Sequence, residues 1–182
     1  MQILKKLIVV LLIAGIGIPR LVSFSAVAKE EEDIVQFLEN IGVYSVEDNM
    51  LYESDYVIRE NLAGILSVFY GIGGEPEPVD TIFQDVPANW ASGHIMTVVN
   101  AGIMSGYSDG LFRPQAYVTV EQMLKILAFM TGYQVLAENE GGFPTGHFTV
   151  AQRIGILNGL KFDDTNAYIT KGELSQLLYN TL

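Results

Sequence analysis

The sequence predicts an all-α fold, three helix–loop–helix units packed into one body. Three observations predict it. One stretch recurs at near-constant spacing, glycines stand where first helices should stop, and threonine-led capping boxes open two of the second helices.

The recurrence is plainest between "GHIMTVVNAGIMSG" (93–106) and "GHFTVAQRIGILNG" (146–159). At an offset of 53 they share Gly93/Gly146, His94/His147, Gly102/Gly155, Ile103/Ile156 and Gly106/Gly159. A polar turn follows each. Then come "AYVTVEQM" (116–123) and "AYITKGEL" (167–174), at an offset of 51. A weaker first copy is formed by "IVQFLENIGVYS" (34–45) and "YVIRENLAGIL" (56–66), alike in pattern more than in identity.

Each copy reads as two helices. Ile34, Phe37, Leu38 and Ile41 fall at i, i+3, i+4, i+7, one apolar face, and Ile95, Val98 and Val99 continue the theme. Gly42, Gly102 and Gly155 sit at the expected helix ends, where a left-handed residue is favoured. The second helices of copies two and three open with Thr119-x-x-Gln122 and Thr170-x-x-Glu173, reciprocal capping boxes. Ile58 cannot cap, so Ser54 or Asp55 is expected to do so slightly earlier. Buried stripes follow: Leu62, Ile65, Leu66 and Phe69; Met123, Ile126, Leu127 and Met130; Leu174, Leu177 and Leu178. A lone helix pair cannot bury such a face, whereas three together can.

The connectors "GIGGEPEPVD" (71–80) and "AENEGG" (137–142) read as exposed linkers. The expected boundaries are a leader at 1–28, units at 29–72, 83–133 and 143–182, and connectors at 73–82 and 134–142. The leader expectation rests on Lys5 and Lys6, the apolar run Leu7 to Ile18, Pro19-Arg20, and then Ala26-Val27-Ala28 before a cleavage point. The run is short against the ~20 residues a spanning helix needs, so no membrane span is expected after cleavage. Cleavage would leave seven basic and 21 acidic residues, a net charge of −14 against −11 for the whole chain. Such a field excludes nucleic acid as a partner and demands local cations for any anionic ligand.

With no cysteine among 182 residues, disulfides, thiolate catalysis and Cys-ligated zinc are excluded. No Ser/His/Asp order, P-loop, zinc spacing or calcium-loop spacing occurs, so neither an enzyme, a metal nor a cofactor is expected. His94 and His147 occupy equivalent positions, which argues for a shared structural task rather than a catalytic pair.

The second copy, "FQDVPANWASGHIMTVVNAGIMSGYSDGLFRPQAYVTVEQMLKIL" (83–127), resembles the S-layer homology domain. Phe83, Asp85, Val86, Trp90, Ala91, Gly102, Ile103, Gly106, Tyr107, Asp109, Gly110, Phe112, Pro114 and Thr119 fit that family's pattern in order. The resemblance implies three tandem modules in a pseudo-threefold helical prism. Grooves between modules would bind secondary cell wall polysaccharide, acidic and often pyruvylated, and so hold an exported protein at the cell surface. Other envelope proteins are the second class of partner. At the family's Thr-Arg-Ala-Glu position this chain has Ile58-Arg59-Glu60-Asn61, Thr119-Val120-Glu121-Gln122 and Thr170-Lys171-Gly172-Glu173. Lys171 keeps the charge but not the planar fork of an arginine, and Val120 keeps neither.

The candidate polysaccharide-binding residues are therefore Arg59, Trp90, Gly106, Tyr107, Asp109, Arg113, Gly159 and Lys171. Arg59 and Lys171 are cations in the first turn of a helix, against the dipole, which points to a task. Trp90 either stacks on a sugar or plugs the core. Arg113 either contacts ligand or pairs with Asp109 or Glu121. Asp109-Gly110 and Asp163-Asp164 are turn formers first. The competing reading is a degenerate scaffold that keeps the prism, binds proteins at the surface and has lost the sugar.

Overall fold

The computed structural model describes residues 34, 36–38, 40, 55–71 and 76–182. The leader expectation, Gly42 and most of the first expected helix and its turn lie outside them. The described residues are helical, with three isolated β-bridges instead of a sheet. The helices are α1 (Arg59–Phe69), α2 (Trp90–Asn100), α3 (Val120–Met130), α4 (Gln134–Asn139), α5 (Thr145–Arg153) and α6 (Lys171–Tyr179). Ile34, Gln36, Phe37, Leu38 and Asn40 are also helical.

The expected stripes are the core. Leu62, Ile65 and Leu66 of α1, Ile95 and Val98 of α2, Met123, Ile126 and Leu127 of α3, and Leu174, Leu177 and Leu178 of α6 are all buried in one cluster with Ile34 and Leu38. Burying one such side chain contributes about 1.5–3 kcal/mol. Among the described residues the closest helix pairs span the connectors: α1 lies against α2, and α3 against α5. Phe37 meets Tyr179 of α6 edge-on at 5.6 Å.

Capping follows the sequence where a threonine is present. The Thr119 and Thr170 hydroxyls accept the N–H of Gln122 and Glu173, and both residues reach back to the threonine N–H. Asp55 does not cap α1, and Ser54 lies outside the described residues. Ile58 is its N-cap and supplies no side-chain bond. The orphan donors find other partners: the N–H groups of Arg59 and Glu60 donate to the carbonyls of Ala116 and Pro114, each at 3.0 Å. Val120 and Glu121 repeat this with Ala167 and Thr165, and Lys171 does so with Asp55. Gly102 and Gly155 are left-handed, at φ 73° and 87°, and end α2 and α5 as expected. The next amides, Ile103 and Ile156, donate back to Val98 and Ala151 at 2.9 and 3.0 Å, closing each helix end.

A closed cycle of backbone bonds joins three distant segments. Val57 N–H donates to Ile169 O, Ile169 N–H to Val118 O, and Val118 N–H to Val57 O, at 3.0, 2.9 and 2.9 Å. All three residues are buried. On this ring stand Tyr56, Tyr117 and Tyr168, half-exposed, their ring centroids 5.1–5.6 Å apart.

The connectors are less free than expected. The stretch read as the second connector contains α4, with Ala137 fully buried. Ala137 O lies so close to α5 that a Cβ on Gly146 would stand 2.0 Å from it. The first connector crosses α2 the same way: a Cβ on Gly93 would be 2.6 Å from Glu77 O, and Val79 N–H donates to Ser92 Oγ. Gly93 and Gly146, shared by the two copies, are thus crossing points.

Candidate functional site

The loop between α2 and α3 is held from both sides. Asp85 lies ahead of α2, and its carboxylate accepts the N–H of Phe112 at 2.9 Å and of Arg113 at 2.7 Å. Burial works against the Asp85 charge, but the two backbone donors, with help from the Arg113 charge, outweigh it and hold its carboxyl below the ordinary value. They also hold Arg113 in the left-handed region, at φ 57°, which is uncommon for a side chain of its kind. Gly106 is a close approach: a Cβ there would meet the Phe83 ring at 2.3 Å. Asp109 accepts the Leu111 N–H at 3.1 Å, the turn-forming role expected of it.

Arg59 holds the loop from the other side. Its Nε–H donates to Phe112 O and its Nη2 to Ser105 O, both at 2.8 Å. Its guanidinium lies 4.4 Å from the Phe112 ring centroid and 5.0 Å from that of Tyr107. Only 7% of the residue is exposed. Burial lowers its pKa; Tyr107 and Asp85 work the other way, and Arg113 adds to the lowering. Guanidinium keeps its proton in proteins regardless. A cation against the dipole is explained here by two loop carbonyls that need donors.

Beside Arg59 opens a cleft of about 440 Å³. Ser105, Gly106 and Tyr107 form one wall, Gln122, Lys125 and Phe129 of α3 another, and Gln134 and Phe143 close the far side. Its lining contains two cations and no carboxylate, in a chain with 21 acidic and 10 basic residues. The Lys125 ammonium stands 5.6 Å from the Phe143 ring centroid.

Of the expected site residues, Arg59, Gly106 and Tyr107 line this cleft and the others do not. Trp90 starts α2, is 53% exposed and packs beside Gly64 of α1, so it does not plug the core. Arg113 pairs with Asp109 at 2.6 Å and covers the outer face of Tyr107 at 4.1 Å. Gly159 lines a second cleft of about 300 Å³ with Leu157, Leu160 and Phe162. Lys171 is mostly buried and 3.6 Å from Asp55. Val120, at the position equivalent to Arg59, is fully buried. His94 Nδ1 is 2.7 Å from Ser67 Oγ, whereas His147 is buried beneath Phe143 and 3.8 Å from Glu138. Among the described residues, no three His, Asp or Glu side chains cluster as a metal site would require, and no helix is long and apolar enough to cross a membrane.

Sequence reasoning passed over Lys125, Gln122 and Phe129, because the cleft is assembled from segments distant in the chain. One signal was available: six residues after the cap, the three second helices carry Gly64, Lys125 and Gln176, and only one of these is a cation.

The pattern of the S-layer homology domain matches residues 82–124, which takes in the Asp85 clamp, the loop and, of the α3 wall, Gln122. The chain carries one S-layer homology domain there. A curated relative, a "Cell surface protein" of Thermoanaerobacter kivui, is 31% identical over 101 residues. The match covers 55% of this chain and only 12% of that relative's length.

Proposed function

We propose that this protein serves as a noncovalent anchor at the cell surface, binding acidic secondary cell wall polysaccharide in the cleft beside Arg59. In this reading the cyclic ring is the axis of a pseudo-threefold prism of three modules, at 29–72, 83–133 and 143–182. The leader would direct the chain outside the membrane. The single observation that carries the reading is the carboxylate-free cleft, walled on one side by the loop of the matched domain, on a strongly acidic chain. An acidic polymer is repelled by the whole and admitted at one place.

Support for the anchor also comes from the relative's name and from the general habit of S-layer homology domains to bind wall polysaccharide. Both favour an anchor over an enzyme. The test is co-sedimentation with purified cell walls, before and after chemical removal of their polysaccharide. Loss of sedimentation after removal is the expected result, and equal binding to both would overturn the reading.

One observation favours a second reading, a surface scaffold for other envelope proteins. At the position equivalent to Arg59, α3 carries the fully buried Val120, which offers no charge to a ligand. In that reading the protein would not sediment with walls in either state.

A further inference from the structure

The two cations of the cleft differ in what their donors are doing. Arg59 has spent Nε and Nη2 on the carbonyls of Phe112 and Ser105, and the rings of Phe112 and Tyr107 flank its guanidinium. Little of it is left to meet a ligand. Lys125 is exposed on the opposite wall, and among the described residues no carboxylate lies within ion-pair distance of its ammonium. The Phe143 ring, itself about half-exposed, lies alongside and confines a side chain that otherwise roams. A confined ammonium loses less freedom on meeting an anion than a roaming one does.

We propose that Lys125 is the group that contacts the carboxylate of the bound sugar, that Phe143 offers its ring to the sugar's apolar face, and that Arg59 is a positioning residue for the loop. This rests on the polysaccharide reading above and gives it a specificity: the polymer must present an acid to a point charge on α3. An ammonium has three donors but no fork, so the contact selects charge more than planar geometry.

The test uses the full chain and two probes: purified acidic wall polysaccharide, and the same polymer with its carboxyl groups reduced to alcohols. Lys125→Met keeps the stem and removes the charge at an exposed position. It should weaken binding to the acidic polymer about 5- to 10-fold, the scale of a partly exposed charge-assisted contact, and leave binding to the reduced polymer unchanged. Lys125→Arg should retain most of the affinity. Arg59→Lys should weaken binding to both polymers alike and lower the melting temperature, as loss of a loop support would. If the parent prefers the acidic polymer and Lys125→Met binds it equally well, the assignment to Lys125 is wrong and the anchor reading stands. If the parent binds both polymers equally, no acid is recognised and the assignment is also wrong. If the parent binds neither, the anchor reading falls and the assignment with it.

Discussion

Asp85 holds Arg113 by its backbone N–H and not through a side-chain ion pair. The Arg113 N–H donates to Asp85 Oδ2 at 2.7 Å, while the guanidinium turns away to Asp109 at 2.6 Å. A carboxylate ahead of α2 thereby fixes a loop 28 residues downstream. Bonds to a charged acceptor contribute about 1.5–3 kcal/mol each when buried. Asp85 is half-exposed, so Asp85→Asn should cost about 1–2 kcal/mol, read as a fall in melting temperature at neutral pH.

The same carboxylate predicts a pH dependence. Its folded pKa lies below its ordinary value. Its contribution is therefore complete above the unfolded value of about 3.9 and is lost as pH falls through the lower folded value. The stability gap between parent and Asp85→Asn should be constant from pH 7 to 5 and narrow below about 4. A gap unchanged down to pH 2 would show that the charge is not what holds the loop.

Two helical glycines should respond oppositely to alanine. At Gly64, in the interior of α1, a Cβ would meet only the Trp90 ring, at an ordinary 3.6 Å. Gly64→Ala should stabilise by about 0.5–1 kcal/mol through helix propensity. At Gly146 the Cβ would stand 2.0 Å from the Ala137 carbonyl oxygen, a backbone atom that cannot swing aside. Gly146→Ala should cost about 2–3 kcal/mol as α4 is forced off α5. Denaturant midpoints of the two variants measure both signs.

Val120→Ala removes two methyl groups from a fully buried site. It should cost about 2–3 kcal/mol and leave wall binding unchanged once temperature is kept well below the transition. A change in affinity with the fold intact would show that the start of α3 takes part in binding.

Thr170→Val removes the oxygen that accepts Glu173 N–H and bonds its carboxylate. A loss of about 1 kcal/mol is expected, since a capping side chain of this kind is worth that much. Chemical denaturation checks it. An α6 start as stable without the hydroxyl would mean that the Lys171 bond to Asp55 O suffices.

What the sequence made legible is what is decided locally. The glycine stops at 102 and 155 and the boxes at Thr119 and Thr170 are set within a turn of chain, and all four stand as expected. The buried stripes are set by helical period alone. The start of α1 was misjudged because its donors are met by Pro114 and Ala116, more than fifty residues away. Arg59 was singled out for breaking the dipole rule, but the two carbonyls that explain it belong to the loop before α3. Lys125 carried no local anomaly; a lysine on the outer face of a helix is ordinary until Phe143 and the loop enclose the space beside it. The short helix at Gln134–Asn139 lay in a stretch rich in glutamate and glycine, where composition argued for a linker and packing on α5 overrode it.

The cycle through Val57, Val118 and Ile169 bears on how the protein breathes. An open array of helical repeats frays from its ends, since the last repeat has one neighbour fewer than the rest. A cycle has no last member. Each of these three amides is bonded to a segment that is itself held by the third, so none is released by loosening one segment at its surface. Amide protons in such a position exchange with solvent only when the whole cooperative unit opens. The three should therefore share one slow exchange rate, set by global stability, although they lie 61 and 51 residues apart in the chain.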